Sequence, residues 1–583
     1  LCGHIADALR RLWPEASELR FEYLLRAERT SDALDSAMRT AKTAESRFAY
    51  HRAAKLWRWM EERSGETGRS TTLQPHEELA RVERLAGRPD EAAPLYHELA
   101  EGLPVGVARA RHRVREFETM LEAGARAESI DALSDALRPY NERYTGSQLF
   151  SKLGEWKDRA VAAMNRWSDE IDSLSHEPLG GRQALRLRLY RHVILKNDIL
   201  DSTRGSPFRV RFSATAERSK DALLLGYDRL FLARTCHEYA LDERSERAAE
   251  WYDETEELFE RADDHYGLAH MAIGRARLLR NRGKFERALE SLERSARELS
   301  QSRQVDDREA YIVAFERAQL HREQGELDRA VRRAQKLRHF YRGNRLAAFR
   351  ANQALIPVYL IRGQLDRVER LIDQSRTFLG DDVPCLAEVW LARQSSRLNL
   401  GLGRADVARG QLDMLEEYLH RTNLIDHDYV FAIYHLTRAQ VSTAVFSRKD
   451  RLGEPRRKEL FKEIRQSIGA LRNHDATLTV PYRAEIRRLL TRFEMLRGNF
   501  DEAYRHIEAA TDVLSAYPDP IARSLCAEAQ GILFRHDDPD HGTSLIEQAR
   551  VIYDHHNCHF PLVLEGWPVP ERMSSLSADA PKA

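Results

Sequence analysis

Gly283-Lys-Phe-Glu-Arg-Ala288, Gly325-Glu-Leu-Asp-Arg-Ala330 and Gly363-Gln-Leu-Asp-Arg-Val368 are one phrase written three times. Glu246-Arg247-Ala248 precedes them, and Gly403-Arg-Ala-Asp-Val-Ala408 follows as a looser copy. The last residues of the five copies lie 40, 42, 38 and 40 positions apart. A fixed period in that range predicts an all-α solenoid of stacked helical hairpins. Each glycine supplies the left-handed residue that ends a first helix without a Cβ penalty. An aromatic or aliphatic residue two positions on anchors the second helix. Ala288 and Ala330 let the two helices of a hairpin approach, and Leu292 with Ala296, or Ala334 with Leu337, continue one buried stripe. Such a hairpin cannot bury both faces alone, so neighbours must stack and the core must run along the array.

In this pattern the chain resembles tetratricopeptide-like repeats, whose usual period is shorter, about 34 residues. The resemblance implies a right-handed superhelix. It makes Ala272, Ala276, Ala314, Ala318, Ala392 and Ser396 the small packing positions of the first helices. The same register aims His270, Ile273, Arg277 and Arg280, then Phe315, Gln319 and Arg322, then Arg350 and Gln353, then Trp390, Arg393 and Arg397 at the inner surface. An Arg-rich surface with a few aromatics suits an acidic or phosphorylated protein or peptide, because guanidinium pairs bidentately with carboxylate and phosphate. The competing reading is a face of solvated arginines with no partner.

Composition narrows the class. Of 583 residues, 32% are charged and 42% hydrophobic, with only 29 Gly and 19 Pro, as suits a helix-rich chain. Length does not count domains here, since a solenoid grows by repetition. Lys plus Arg equals Asp plus Glu, 92 each. Zero net charge argues against sequence-independent binding to nucleic acid or to a membrane surface. Cys2, Cys236, Cys385, Cys526 and Cys558 are scattered and form no CxxC pair, the pattern of reduced thiols in a cytoplasmic protein. No apolar run approaches the ~18 to 20 residues of a membrane span, and no secretory leader is read. Starting at Leu1 inside the helical pattern Leu1, Ile5, Leu9, Leu12, the chain is expected to be a piece of a longer protein.

Five regions are expected. Residues 1–101 hold helical repeats: Ala33 and Ala53 lie 20 apart, and Leu85-Ala-Gly87-Arg-Pro-Asp-Glu-Ala92 restates the phrase 39 residues after Ala53, beyond a turn-rich loop from Ser64 to Thr72. Residues 102–220 are divergent, with helices expected at Val107 to Ala123, Ser129 to Leu137 and, strongly basic, Gln183 to Leu200. The main array spans 221–446, opening with a helix from Leu223 to Leu241. Divergent repeats fill 447–567, including a charged loop from Arg448 to Lys458, one atypical unit, and Phe500-Asp-Glu-Ala503 after Gly498. Helices are expected to thin out after Asp537, and 568–583 to be disordered.

Two segments suggest a narrower family. Leu1-Cys-Gly-His-Ile-Ala-Asp-Ala-Leu9, followed by Phe48-Ala-Tyr-His-Arg-Ala-Ala-Lys-Leu-Trp57, resembles the junction after the nucleotide-binding unit of large bacterial serine/threonine kinases. These carry an AAA-type or STAND ATPase and a long repeat tail, as in PknK-like kinases and, without the kinase, MalT-like regulators. Asp201-Ser-Thr-Arg204-Gly205-Ser-Pro-Phe208 is similar to an Asp-x-x-Arg-Gly-x-x-Phe loop of those tails. The resemblance implies a region that docks a partner and restrains upstream ATPase and kinase domains. The alternative is the effector-binding array of a MalT-like transcription regulator.

Motifs for catalysis are missing from the sequence. There is no GxxxxGK[ST] loop, since Gly65-Glu-Thr-Gly-Arg-Ser70 lacks both spacing and Lys. No kinase glycine-rich loop, HRD, DFG or GxSxG occurs, and no HExxH helix. His536-Asp537-Asp538-Pro-Asp540-His541 and Asp554-His555-His556-Asn-Cys558-His559 gather metal-ligand types without zinc-site spacing, so they read as surface and helix-end residues. No catalytic, cofactor-binding or metal-ligating residue is assigned; the inner face is the one candidate site.

Overall fold

A computed structural model describes most of residues 1–140 and 212–567. It leaves out 141–211, 568–583 and short stretches, the longest being 65–72, 238–242, 303–309, 380–384, 423–427, 448–452 and 473–478. Among the described residues there are twenty-four α-helices and no strand. They pair into twelve antiparallel hairpins, forming a right-handed, tetratricopeptide-like solenoid.

The repeat phrase does locally what its residues dictate. Gly283, Gly325, Gly363 and Gly403 have φ of 71°, 77°, 65° and 70°, and Gly87 and Gly498 share the conformation at 80° and 74°. At each turn the residue after the glycine donates its N–H five residues back, as Lys284 does to Leu279 (2.9 Å) and Gln364 to Tyr359 (2.9 Å). That bond satisfies a carbonyl orphaned by the end of the first helix.

The two helices of a hairpin face different surroundings, and their compositions follow. Second helices are one-sided: Leu365–Leu379 buries Val368, Leu371, Ile372, Ser375 and Leu379 at helical spacing. Each such aliphatic side chain contributes about 1.5–3 kcal/mol on full burial. First helices pack on their own second helix and on the first helices before and after them, building the inner wall. Arg345–Ile361 is consequently buried almost all round, from Ala347 to Leu360, and it also touches Val107–Ala123 of the N-terminal hairpins. Inside it, Asn352 bonds Ser375 Oγ (3.1 Å) and the Leu371 carbonyl (3.3 Å), locking the hairpin by polar contacts that a slipped register could not satisfy.

Five of the six small packing positions are buried and Ala314 is half-buried. The stripe on Phe285–Gln301 differs from the expectation: Ala296 is exposed and Ser295 takes the inner place. Residues three and four positions beyond Leu292 both fit a helical stripe. Ser295 wins because its hydroxyl donates to the Ala269 carbonyl (2.9 Å), so its burial leaves no polar group unsatisfied.

Two expectations need correction beyond the main array. The charged stretch read as a loop to Lys458 is already helical from Glu454, since Glu454–Arg472 is the second helix of a hairpin with Asp428–Phe446. Helices also do not thin out after Asp537. Asp538 caps an eighteen-residue helix, Pro539–His556, by accepting from the His541 N–H (3.0 Å), and Asn557 ends it at φ 57°. The basic segment Gln183 to Leu200, the Asp201 to Phe208 motif and the tail from 568 lie outside the described residues.

The superhelix winds far enough to touch itself. The linker carrying Tyr517 packs against the Gly283 turn, with Phe285 edge-on to the Tyr517 ring at 5.2 Å. Further along, His559 donates its backbone N–H to the Ile361 carbonyl (2.7 Å). The apolar core follows: Ile273, Phe285 and Leu292 share one cluster with Val480, Ile507, Cys526 and Trp567.

Candidate functional site: an arginine-lined inner face

The side chains expected at the inner face lie on first helices, in two charged groups with an aromatic step between them. In the first group, Arg277 Nε donates to Glu316 Oε1 (2.8 Å) and Arg280 Nη1 to Glu316 Oε2 (2.7 Å). Burial works against the Glu316 carboxylate, but Arg277 and then Arg280 hold its pKa below the usual range. Glu323 lies 3.6 Å from Arg280 and 2.9 Å from Arg322, and accepts from the Tyr517 hydroxyl (2.7 Å). Burial pushes the Tyr517 phenol well above its ordinary value, and the neighbouring Glu323 adds to it.

The aromatic step holds Phe315, Arg350, Gln353 and Trp390. The Arg350 guanidinium lies 5.3 Å over the Phe315 ring and donates to Gln353 Oε1 (2.8 Å). Phe315 and Gln353 are buried, and half-buried Trp390 meets Phe349 edge-on at 5.9 Å. His270 is buried edge-on to Tyr266 at 4.5 Å, while the half-buried Gln319 leaves its Oε1 without a hydrogen bond among the described residues.

In the second group Arg393 Nη2 donates to both carboxylate oxygens of Glu485 (2.6 and 2.8 Å) and its Nη1 to Thr437 Oγ1 (3.1 Å). Its guanidinium also covers Tyr482 at 5.3 Å. One turn on, Arg397 buries its Nε with no hydrogen-bond partner among the described residues. Burial, and then Arg393, lower the Arg397 pKa. Across the wall, Arg488 pairs with Glu565 (2.6 and 2.9 Å) and donates to Cys526 Sγ (3.4 Å), a thiol that burial pushes up.

Sequence reading named the arginines of the first helices, Arg277, Arg280, Arg322, Arg350, Arg393 and Arg397, and missed Arg488 and every carboxylate that answers them. Glu316 lies 39 and 36 positions beyond Arg277 and Arg280, about one repeat, so the period itself could have flagged it. Glu485 is 92 positions from Arg393 and Glu565 is 77 from Arg488, and neither separation carries a local signal. The wall offers guanidinium groups, tyrosine hydroxyls and aromatic faces, which is equipment for holding anionic and aromatic side chains. Of the C-terminal histidine runs, the first packs on the last hairpins, with His536 on Phe500 (4.0 Å) and Asp537 accepting from Tyr504 (2.7 Å), and the second lies against the Gly325 and Gly363 turns. No helix among the described residues is long and apolar enough to cross a membrane.

No family model matches the chain, and no curated protein matches it. Solved structures do. The chain is similar to yeast Tom70 at 14% identity, covering 89% of this chain and 99% of that one, with a TM-score of 0.33. It is similar to the APC/C hetero-tetramer Cut9–Hcn1 at 12% identity, covering 94% and 92%, with a TM-score of 0.45. A monomeric mutant of IFIT1 with m7Gppp-AAAA aligns at 13% identity over 82% and 90%, with a TM-score of 0.37.

Proposed function

We propose that this chain is a non-catalytic protein-interaction and regulatory region, the cytoplasmic C-terminal part of a bacterial serine/threonine kinase-ATPase. Its array docks an acidic or phosphorylated segment and contacts the upstream ATPase and kinase domains. The observation that supports this reading best is the second charged group, where Arg397 buries its Nε with no hydrogen-bond partner among the described residues and burial lowers its pKa although Glu485 and Glu565 oppose that. Desolvating a cation is costly unless an anion meets it. A partner's carboxylate or phosphate supplies that anion. The parent is tested by the open reading frame: kinase motifs upstream of Leu1 support it, and a helix-turn-helix downstream of Ala583 replaces it with the transcription regulator. Docking is tested by reversing charge at Arg322, Arg350 and Arg397 and repeating a pull-down with the upstream domains. Unchanged capture removes the groove from the argument.

A further inference from the structure

The wall around Arg397 is built by three helices, Cys385–Gly401, Asp428–Phe446 and Val480–Arg497, the middle one bonding Arg393 through Thr437 and Glu485 through Gln440, and the charges that meet there do not balance. Among the described residues of this wall, Arg393, Arg397, Arg488 and Arg492 stand against Glu485, leaving an excess of three positive charges. The chain itself supplies one of the missing negatives. Beyond the last helix, Glu565 carries its carboxylate onto Arg488, with its side chain 5% exposed. Two residues later Trp567, also buried, lies under the Arg492 guanidinium at 5.5 Å.

We infer that Glu565 and Trp567 are an internal stand-in for a partner segment, and that the groove recognises an acidic residue followed two positions later by an aromatic one. This deepens the docking reading and rests on it.

Three observations carry the inference. First, the two anchors are what such a groove would select in trans: a carboxylate for a bidentate guanidinium and a ring for a second one. Second, Glu565 leaves the charge incompletely matched, since Arg397 Nε stays without a hydrogen bond among the described residues. A partner with a further acidic group beside the first offsets what Glu565 cannot. Third, the two carboxylates of the groove are not held equally. Glu485 stands on a helix and accepts from Arg393 Nη2 (2.6 and 2.8 Å) and from Gln440 (2.8 Å), whereas Glu565 lies beyond the last helix and accepts from Arg488 (2.6 and 2.9 Å), and burial pushes its pKa up. Glu565 is the replaceable member.

The probe is a fluorescent peptide with the sequence of residues 560–570, Phe-Pro-Leu-Val-Leu-Glu-Gly-Trp-Pro-Val-Pro, titrated against the full chain and its variants. Occupancy in cis lowers apparent affinity by the fraction of open groove, so the Glu565→Gln/Trp567→Ala chain is expected to bind at least about tenfold tighter than the intact chain. A peptide with Gln in place of its Glu is expected to lose that binding. Trp567→Ala alone, which keeps the Arg488 pair, gives an intermediate gain. Equal binding to intact and variant chains overturns the stand-in while leaving a docking groove. No binding to any of them overturns both. A double variant that stays unfolded with and without the peptide makes Glu565 and Trp567 fixed parts of the fold, and also overturns the proposal.

Discussion

The turns at Gly283 and Gly498 carry nearly the same words, Gly-Lys-Phe-Glu-Arg-Ala and Gly-Asn-Phe-Asp-Glu-Ala, and fold to nearly the same geometry. Their φ angles are 71° and 74°. The following residue donates back over the turn at 2.9 Å in both, Lys284 to Leu279 and Asn499 to Glu494. Their surroundings are opposite. A Cβ built on Gly283 would sit 2.6 Å from the Ala516 carbonyl oxygen and 3.2 Å from Tyr517 Cα, while one on Gly498 would meet nothing within 4 Å. The phrase therefore encodes the turn, and the winding of the superhelix decides what else that turn must bear. At Gly283 it bears the linker between Phe500–Ser515 and Pro520–Phe534, and with it the closure of the C-terminal hairpins onto the main array.

The pair of glycines is the sharpest way to test this. Gly283→Ala combines left-handed strain with a clash against backbone that cannot swing aside, and should destabilise by about 3 kcal/mol or more. Thermal unfolding reads the loss, and limited proteolysis should cut first near 516–519. Tyr517→Phe comes next. It removes a buried hydrogen bond to the Glu323 carboxylate and keeps the ring on Phe285, at a cost of about 1.5–3 kcal/mol. Gly498→Ala should cost only the strain, about 1–2 kcal/mol. If the two glycine variants melt alike, the linker does not press on the Gly283 turn and the closure fails as an explanation.

How much of this was legible follows from which forces are local. The turn needs a residue that tolerates positive φ, and the hairpin needs Ala288 and Ala330 at its crossing, so both show in the spacing. Pairing inside one repeat step shows in part: Glu316 answers Arg277 one period on, once the rotation between hairpins is known. Closure does not show, because Tyr517 lies 194 positions from Glu323 and nothing near either residue specifies the other. Arginines expected to face an empty groove are, for the same reason, partly answered by carboxylates of the chain itself. Arg397 is where the inner-face reading and the observed pairing still leave a charge to be met.

The smallest effect separates the two turns by pH. Asp519, in the linker that covers Gly283, caps Pro520–Phe534 by accepting from the Ile521 and Ala522 N–H groups (2.9 Å each). Burial pushes its carboxyl up to about 7; the Ala522 cap bond opposes, Glu323 adds to the rise and Arg322 opposes it. In the unfolded chain the same group titrates near 4. A folded pKa above the unfolded one favours the folded state fully below about pH 4, and that contribution is lost as pH rises through about 7. Asn caps a helix as well as Asp does and does not titrate. The stability of Asp519→Asn relative to the intact chain should therefore increase by about 1 kcal/mol from pH 6 to pH 7.5 and level off above it. Guanidinium melts at four pH values measure the slope. Among the described residues no linker covers the Gly498 turn, so the cost of Gly498→Ala should stay flat over the same range, whereas that of Gly283→Ala should shrink as deprotonation of Asp519 loosens the linker that causes the clash.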